Sequence, residues 1–237
     1  MTTKLKIVPG QIYHVYNRGV DKRKIFLDTD DHLRAIRNLF EFNDKNPAFN
    51  MGRFFNKNHL IDLRNQSGEK KSRKPLVEIL AFCLMPNHFH LLLRPLSEKG
   101  ITLFMRKFGI GYANYFNQKY KRSGALFQGR YKSVLVDQES HFIHLPFYIH
   151  LNPLDLIAPE WRKREIKNYE KVIKFLESYR WSSHLDYIGK KNFPSVTQRS
   201  FLLKFFDGSK NYKKQVEQWL KEMSLENLKN IALESTD

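Results

Sequence analysis

The spacing of apolar positions switches repeatedly between the two-residue period of a strand and the three-to-four-residue period of a helix. The stretch QIYHVYNRG (Gln11 to Gly19) alternates and is rich in β-formers, which predicts a first strand ending at the Asn-Arg-Gly turn. From Asp30 to about Asn43, Leu33, Ile36, Leu39 and Phe40 recur at helical spacing behind an aspartate cap. PLVEILAFCLM then predicts a long buried strand, Pro86-Asn87 a tight turn, and HFHLLLR a second strand pairing back on the first. Phe104, Phe108 and Tyr112, followed by Tyr115 and Phe116, mark an amphipathic helix. ALFQGRYKSVLVD predicts a further strand in which Arg130 and Lys132 share a face. A last helix of this unit follows Asp137, a good N-cap, and runs toward FYIHLNP.

The order is β-α-β-β-α-β-α, which predicts an α+β, ferredoxin-like split βαβ antiparallel sheet with helices on one face. Residues 44–75 have no sustained period and read as a basic insertion whose EKKSRK cluster is solvated surface or a backbone contact. After Pro153 the pattern becomes helical, basic and rich in Tyr and Trp. We therefore divide the chain into a core, residues 1–155, and a helical C-terminal extension, residues 156–237, either packed on the core or semi-independent of it. Trp181 reads as an anchor of that extension.

Charge narrows the partners. The chain has 41 Lys and Arg against 24 Asp and Glu, a net +17, which argues for a polyanion and most simply for nucleic acid. Aromatic residues make up 14% of the chain, and some of these rings are available to stack on unpaired bases. The single cysteine, Cys83, excludes a disulfide framework and suggests a reducing compartment. There is no long apolar run, no secretory h-region and no lipidation motif, so the expected location is cytoplasmic, with nucleoid association in a prokaryote following from the DNA reading below.

The candidate chemistry begins at His88 and His90. Residues two apart in a strand point to the same face, so the two imidazoles project together while Phe89, Leu91 and Leu93 pack the other side. Alone, such a pair is more often a surface cross-strand pair than a metal site. The segment FYIHLNP adds context, because on a helix Tyr148 and Asn152 lie one turn apart on one face. A tyrosyl hydroxyl is a weak nucleophile and needs a metal-polarised target or a neighbouring base. His88, His90 and Asn152 are thus the candidate metal ligands, and Tyr148 the candidate nucleophile toward phosphorus.

These stretches make the chain similar to the IS200-type transposases with a single catalytic tyrosine, and most of all to the branch of REP-associated tyrosine transposases. The resemblance rests on YHVYNRG, CLMPNHFHLLL with its His-hydrophobic-His (HUH) motif, GALFQGRYKSVLVD and YIHLNP, in that order, with a fainter echo in YRWSSHLDYIG. It implies an HUH nuclease core in which His88 and His90 hold Mg²⁺ or Mn²⁺ and Asn152 takes the place of a third polar ligand. It also implies that Tyr148 forms a 5′-phosphotyrosine link with single-stranded DNA, at a site marked by a hairpin with a short guide sequence at its foot. Pro146 departs from an ordinary helix just ahead of Tyr148, where it removes a backbone hydrogen bond and tends to reshape or shorten the helix.

Arg130 and Lys132 are candidate phosphate contacts, and Asn17 and Arg18 either shape a turn or touch the guide strand. His14 and His150 read as packing or surface residues, although His14 would approach the metal if its strand neighbours the histidine strand. Tyr112 and Tyr115 continue an apolar stripe and read as core. Three rival functions are a hairpin-binding protein without turnover, a metal-dependent nuclease in which water attacks, and an RNA-binding ferredoxin-like module. The last would place aromatic residues on central strands, and HFHLLLR does not supply them. Whether the protein is a monomer or a homodimer is not legible in the sequence.

Overall fold

The computed structural model describes residues 6–47, 73–163 and 165–222, so most of the basic insertion read at 44–75 lies outside the described residues. Four strands form one antiparallel sheet: β1 (Tyr13–Arg18), β2 (Val77–Met85), β3 (His88–Pro95) and β4 (Lys132–Leu135), in the order β2-β3-β1-β4. The order is ferredoxin-like because each helical crossover skips one strand. Helix α1 (Thr29–Glu41) carries the chain from β1 past β3 to β2, and α2 (Gly100–Lys119) carries it from β3 past β1 to β4. The central pair of the sheet is therefore β1 and β3, far apart in sequence.

Local chemistry accounts for the element ends, with some departures from the sequence pattern. The cap of α1 is Asp28, whose carboxylate accepts from the Asp31 N–H at 2.9 Å; Asp30 lies inside the first turn. β4 is shorter than the apolar pattern suggests. Gly129 adopts a positive φ and bends the chain, so Arg130 lies outside the strand and does not share a strand face with Lys132, correcting that expectation. Helix α3 (Glu139–Leu151) starts after Gln138, so Asp137 is not its cap, and it continues helically past Pro146 to Leu151 without being shortened.

Both faces of the sheet are covered, which corrects the expectation of helices on one face. On one side Tyr13, Val15, Phe82, Phe89, Leu91 and Leu93 pack against Phe104, Phe108 and Tyr112 of α2 and against α1. On the other, Leu80, Cys83, Met85 and Leu92 pack against Leu145, Tyr148 and Leu151 of α3, and the same cluster takes in Trp161, Tyr187, Tyr212 and Trp219 of the extension. The reason is legible in α3 itself. From Leu145 to Leu151 every side chain is buried, and a helix apolar all round must be enclosed on all sides. The extension, with α4 (Tyr169–Leu176), α5 (His184–Tyr187), α6 (Ser200–Phe205) and α7 (Gly208–Glu222), supplies the outer wall.

The extension also seals the open edge of β2. Trp181, Ser182 and Ser183 run antiparallel to it: the Leu84 N–H donates to the Trp181 carbonyl at 2.9 Å and the Ser183 N–H to the Phe82 carbonyl at 3.0 Å. The Phe82 N–H donates to Ser183 Oγ at 2.9 Å. The hydroxyls of Tyr179 and Tyr187 cap the carbonyls of Leu84 and Leu80. An edge strand presents unpaired backbone groups that template unwanted pairing, and here the Tyr-Arg-Trp-Ser-Ser segment uses them up. Behind it, His150 of α3 bonds through Nε2 to Ser183 Oγ and through Nδ1 to Tyr212 Oη, each at 2.6 Å, tying α3 to the edge segment and to α7.

Two predictions follow from this packing. Ser183→Ala leaves the Phe82 amide unpaired in the interior and strips His150 of a partner; it is expected to cost about 1–3 kcal/mol in a urea unfolding titration. Burial holds the His184 imidazole down to about 4 and also puts the fully buried His150 well below the usual histidine range. Both folded values lie below the unfolded one, so the stability they protect is present above about pH 6.5 and is lost as pH falls toward the folded values. Urea midpoints should drop between neutral pH and about pH 4, with His184 alone accounting for about 3 kcal/mol.

Candidate active site

The pleat and the strand register gather the polar residues on the α3 side of the sheet. His90 of β3 sits opposite Tyr16 of β1, and His88 opposite Arg18. On the other flank of β1, Tyr16 faces Lys132 of β4. His14, Tyr16 and Arg18 therefore share one face with His88, His90 and Lys132. The turn that ends β1 demands a glycine at position 19, because a Cβ there would stand 2.3 Å from the Arg23 carbonyl oxygen.

The histidines are linked rather than merely close. His14 Nε2 lies 2.9 Å from His90 Nδ1, and the two rings stack at 5.1 Å with both residues buried. His14 thus joins the candidate site, through the strand adjacency that makes the approach possible. The His88 ring stands perpendicular to that of His90 at 4.9 Å, and its Nδ1 is 2.6 Å from Asn87 Oδ1. An amide oxygen only accepts, so this contact places the proton of neutral His88 on Nδ1 and leaves the Nε2 lone pair as the donor for a cation. His14 can do the same for His90: accepting at Nε2, it puts the His90 proton on Nδ1.

Tyr148 reaches this cluster from α3. Its ring meets His90 edge-on at 5.8 Å and His14 edge-on at 6.5 Å, and the residue is fully buried. Asn152, one turn on, is also fully buried, and its amide is engaged locally: Nδ2 donates to the Tyr148 carbonyl at 2.9 Å, and Oδ1 accepts from Arg162 Nη2 at 3.3 Å. The structure thus brings His88, His90 and Tyr148 together with His14, while Asn152 is drawn toward the extension. Among the described residues no three of His, Cys, Asp and Glu are placed to hold a metal jointly.

Arg162, in the 3-10 turn Pro159–Lys163, is a site residue that no motif pointed to. Its guanidinium grips Asp155 through Nε at 2.9 Å and Nη2 at 2.6 Å, and Asp155 also accepts from Trp161 Nε1 at 2.7 Å. So anchored, Arg162 sits 5.3 Å over the Tyr148 ring and its Nη1 approaches the Tyr148 hydroxyl at 3.5 Å. A cation is thereby held at the candidate nucleophile by a segment of the extension.

Of the remaining candidates, Asn17 braces the end of β1, donating to the Gly129 carbonyl at 3.1 Å and accepting from the Arg18 N–H at 2.9 Å. Arg18 and Lys132 stand on the histidine face. Arg130 is exposed and lines a groove of about 330 Å³ on the α2 side, with Asn17, Phe127 and Tyr131. Tyr16 was not singled out by any pattern. Burial pushes its phenol up to about 12, against the pull of the Arg18 charge.

Residues 52–152, a stretch that contains His88, His90, Tyr148 and Asn152, match the family described as IS200-like transposases. No curated protein matches the chain. A solved structure of the REP-associated tyrosine transposase bound to a REP hairpin aligns over 83% of this chain and 90% of that one, with 13% identity and a TM-score of 0.46.

Proposed function

Residues 52–152 carry the IS200-like transposase signature, and from that premise we propose that the protein cleaves and rejoins single-stranded DNA at hairpin-bearing sites, with Tyr148 as nucleophile. The observation that carries the reading is the edge-on contact of Tyr148 with both His90 and His14 on a polar sheet face otherwise lined by Arg18 and Lys132. The tyrosyl oxygen forms a bond to the 5′ phosphorus as the bond to the 3′ oxygen breaks. The phenol gives up its proton and the departing 3′ oxygen takes one; because one phosphodiester is exchanged for another, the bond energy is kept in the phosphotyrosine link and the reverse joining step needs no external energy source.

His88 and His90 suit Mg²⁺ or Mn²⁺, with Mn²⁺ the better match for imidazole and the remaining positions open to water and phosphate oxygens. Asn87 fixes the His88 tautomer and His14 serves His90. Such an ion, when bound, would polarise the phosphate and offset the negative charge that builds up in the transition state. Asn152 is the third ligand in this reading only if its oxygen leaves Arg162. Arg18, Lys132 and Arg130 supply phosphate contacts, and Asn17 braces the strand end from which Arg18 projects.

A second reading, a hairpin-binding protein without turnover, is favoured by one feature: Tyr148 is fully covered, with Arg162 over its ring. The two readings differ in one product. End-labelled single-stranded DNA covering the hairpins beside the gene, incubated with Mn²⁺ or Mg²⁺ and run on a denaturing gel, should show a covalent adduct that is lost in Tyr148→Phe and in His88→Ala. Binding without adduct under either metal would favour the second reading, and cleavage that survives Tyr148→Phe would point to water as nucleophile. The tautomer argument predicts in addition that Asn87→Ala weakens Mn²⁺ binding, followed by calorimetric titration, by roughly ten- to a hundredfold.

A further inference from the structure

A buried tyrosine on the histidine face is used by none of the contacts described so far. Tyr16 is over nine-tenths buried, yet among the described residues its hydroxyl has no hydrogen-bond partner. A phenol sealed away with its polar atom unpaired is a net cost to folding, and phenylalanine would fill the same space without it. The hydroxyl makes physical sense if its partner arrives from outside the chain.

The surroundings define what that partner is. Tyr16 is the central member of a row across three strands, opposite His90 on one side and Lys132 on the other, with Lys132 Nζ 5.9 Å from its ring centroid. Arg18, on the same strand and the same face, lies opposite His88. Among the described residues neither Arg18 nor Lys132 is paired with a carboxylate. A hydroxyl donor sharing its face with two cations that have no carboxylate partner among the described residues is the complement of a phosphodiester oxygen, for which hydrogen bonds to a charged partner are the strong ones.

We propose that Tyr16, Arg18 and Lys132 form a phosphate subsite that grips the DNA backbone beside His88 and His90, on the next two strands of the sheet. The proposal rests on the single-stranded DNA reading above and adds to it a residue, Tyr16, and a place for a backbone phosphate next to the reacting one. The subsite reads charge and not base identity, since each of its groups is a donor or a cation aimed at oxygen.

The test uses the whole protein and a fluorescent single-stranded oligonucleotide carrying a hairpin from beside the gene, with anisotropy measured in EDTA so that metal does not contribute. Tyr16→Phe removes only the hydroxyl. It should unfold at the parent's temperature or above it, and bind the oligonucleotide roughly tenfold more weakly. Lys132→Gln should lower the slope of log affinity against log salt by about one, and the double variant should lose less than the product of the two single losses. The Tyr16→Phe loss should be the same on an unstructured oligonucleotide of scrambled sequence. Unchanged affinity in Tyr16→Phe overturns the subsite, as does a loss that tracks a lowered unfolding temperature or appears with one sequence only. If the parent itself binds no single-stranded DNA, the DNA reading fails and takes the subsite with it, whereas an adduct formed by the parent alongside full binding by Tyr16→Phe sinks the subsite alone.

Discussion

In a pleated sheet, every second side chain of a central strand faces the same side, and β1 is central here, hydrogen-bonded to β3 on one flank and β4 on the other. That single adjacency assembles the polar face. It brings His14 within 2.9 Å of His90 although 76 residues separate them, sets Arg18 against His88, and puts Tyr16 between His90 and Lys132. A one-residue slip of β1 would turn His14, Tyr16 and Arg18 toward α2 and bring Tyr13 and Val15, now in the apolar core, to the histidines. Register is therefore held by the apolar residues of β1 as much as by its polar ones.

Enclosure on both sides then decides what those polar groups do. On an open sheet face the imidazoles would be solvated; beneath α3 they must find partners, and they find one another, Asn87 and the edge of Tyr148. Within the same row, the Tyr16 hydroxyl finds no partner among the described residues. The apolar half of the face, around Cys83, Met85 and Leu92, takes the weight of α3 and so fixes how far Tyr148 stands from the histidines.

The order of elements and the shared face of His88 and His90 were legible because both depend on short-range periodicity and on a pleat that any strand obeys. The strand adjacency that recruits His14 was stated in the sequence only as a condition, since pairing between β1 and β3 is a long-range choice. Arg162 left no trace at all: it stands in a 3-10 turn with no repeating pattern, and its role comes from Asp155 and Trp161 fixing its direction. Asn152 was read from helical spacing as a metal ligand presented beside the Tyr148 hydroxyl. The helix ends there, and its side-chain amide turns to the Tyr148 carbonyl and to Arg162. Arg130 was placed by alternation on a strand that Gly129 interrupts.

The extension was legible as helical and basic, but what it does follows from the sheet it meets. A four-stranded sheet built this way leaves β2 with a free edge and leaves α3, apolar all round, with an uncovered side. The segment Trp181 to Ser183 answers the first need with backbone pairing, and Trp161, Tyr187, Tyr212 and Trp219 answer the second with aromatic surface. Ser183 and His150 join the two solutions, because the serine that pairs the Phe82 amide also holds the histidine one turn along α3 from Pro146. Once the extension is committed to those contacts, the turn carrying Arg162 comes to lie over Tyr148. The position of a cation above the candidate nucleophile is thus a consequence of how the chain closes its sheet edge and buries α3.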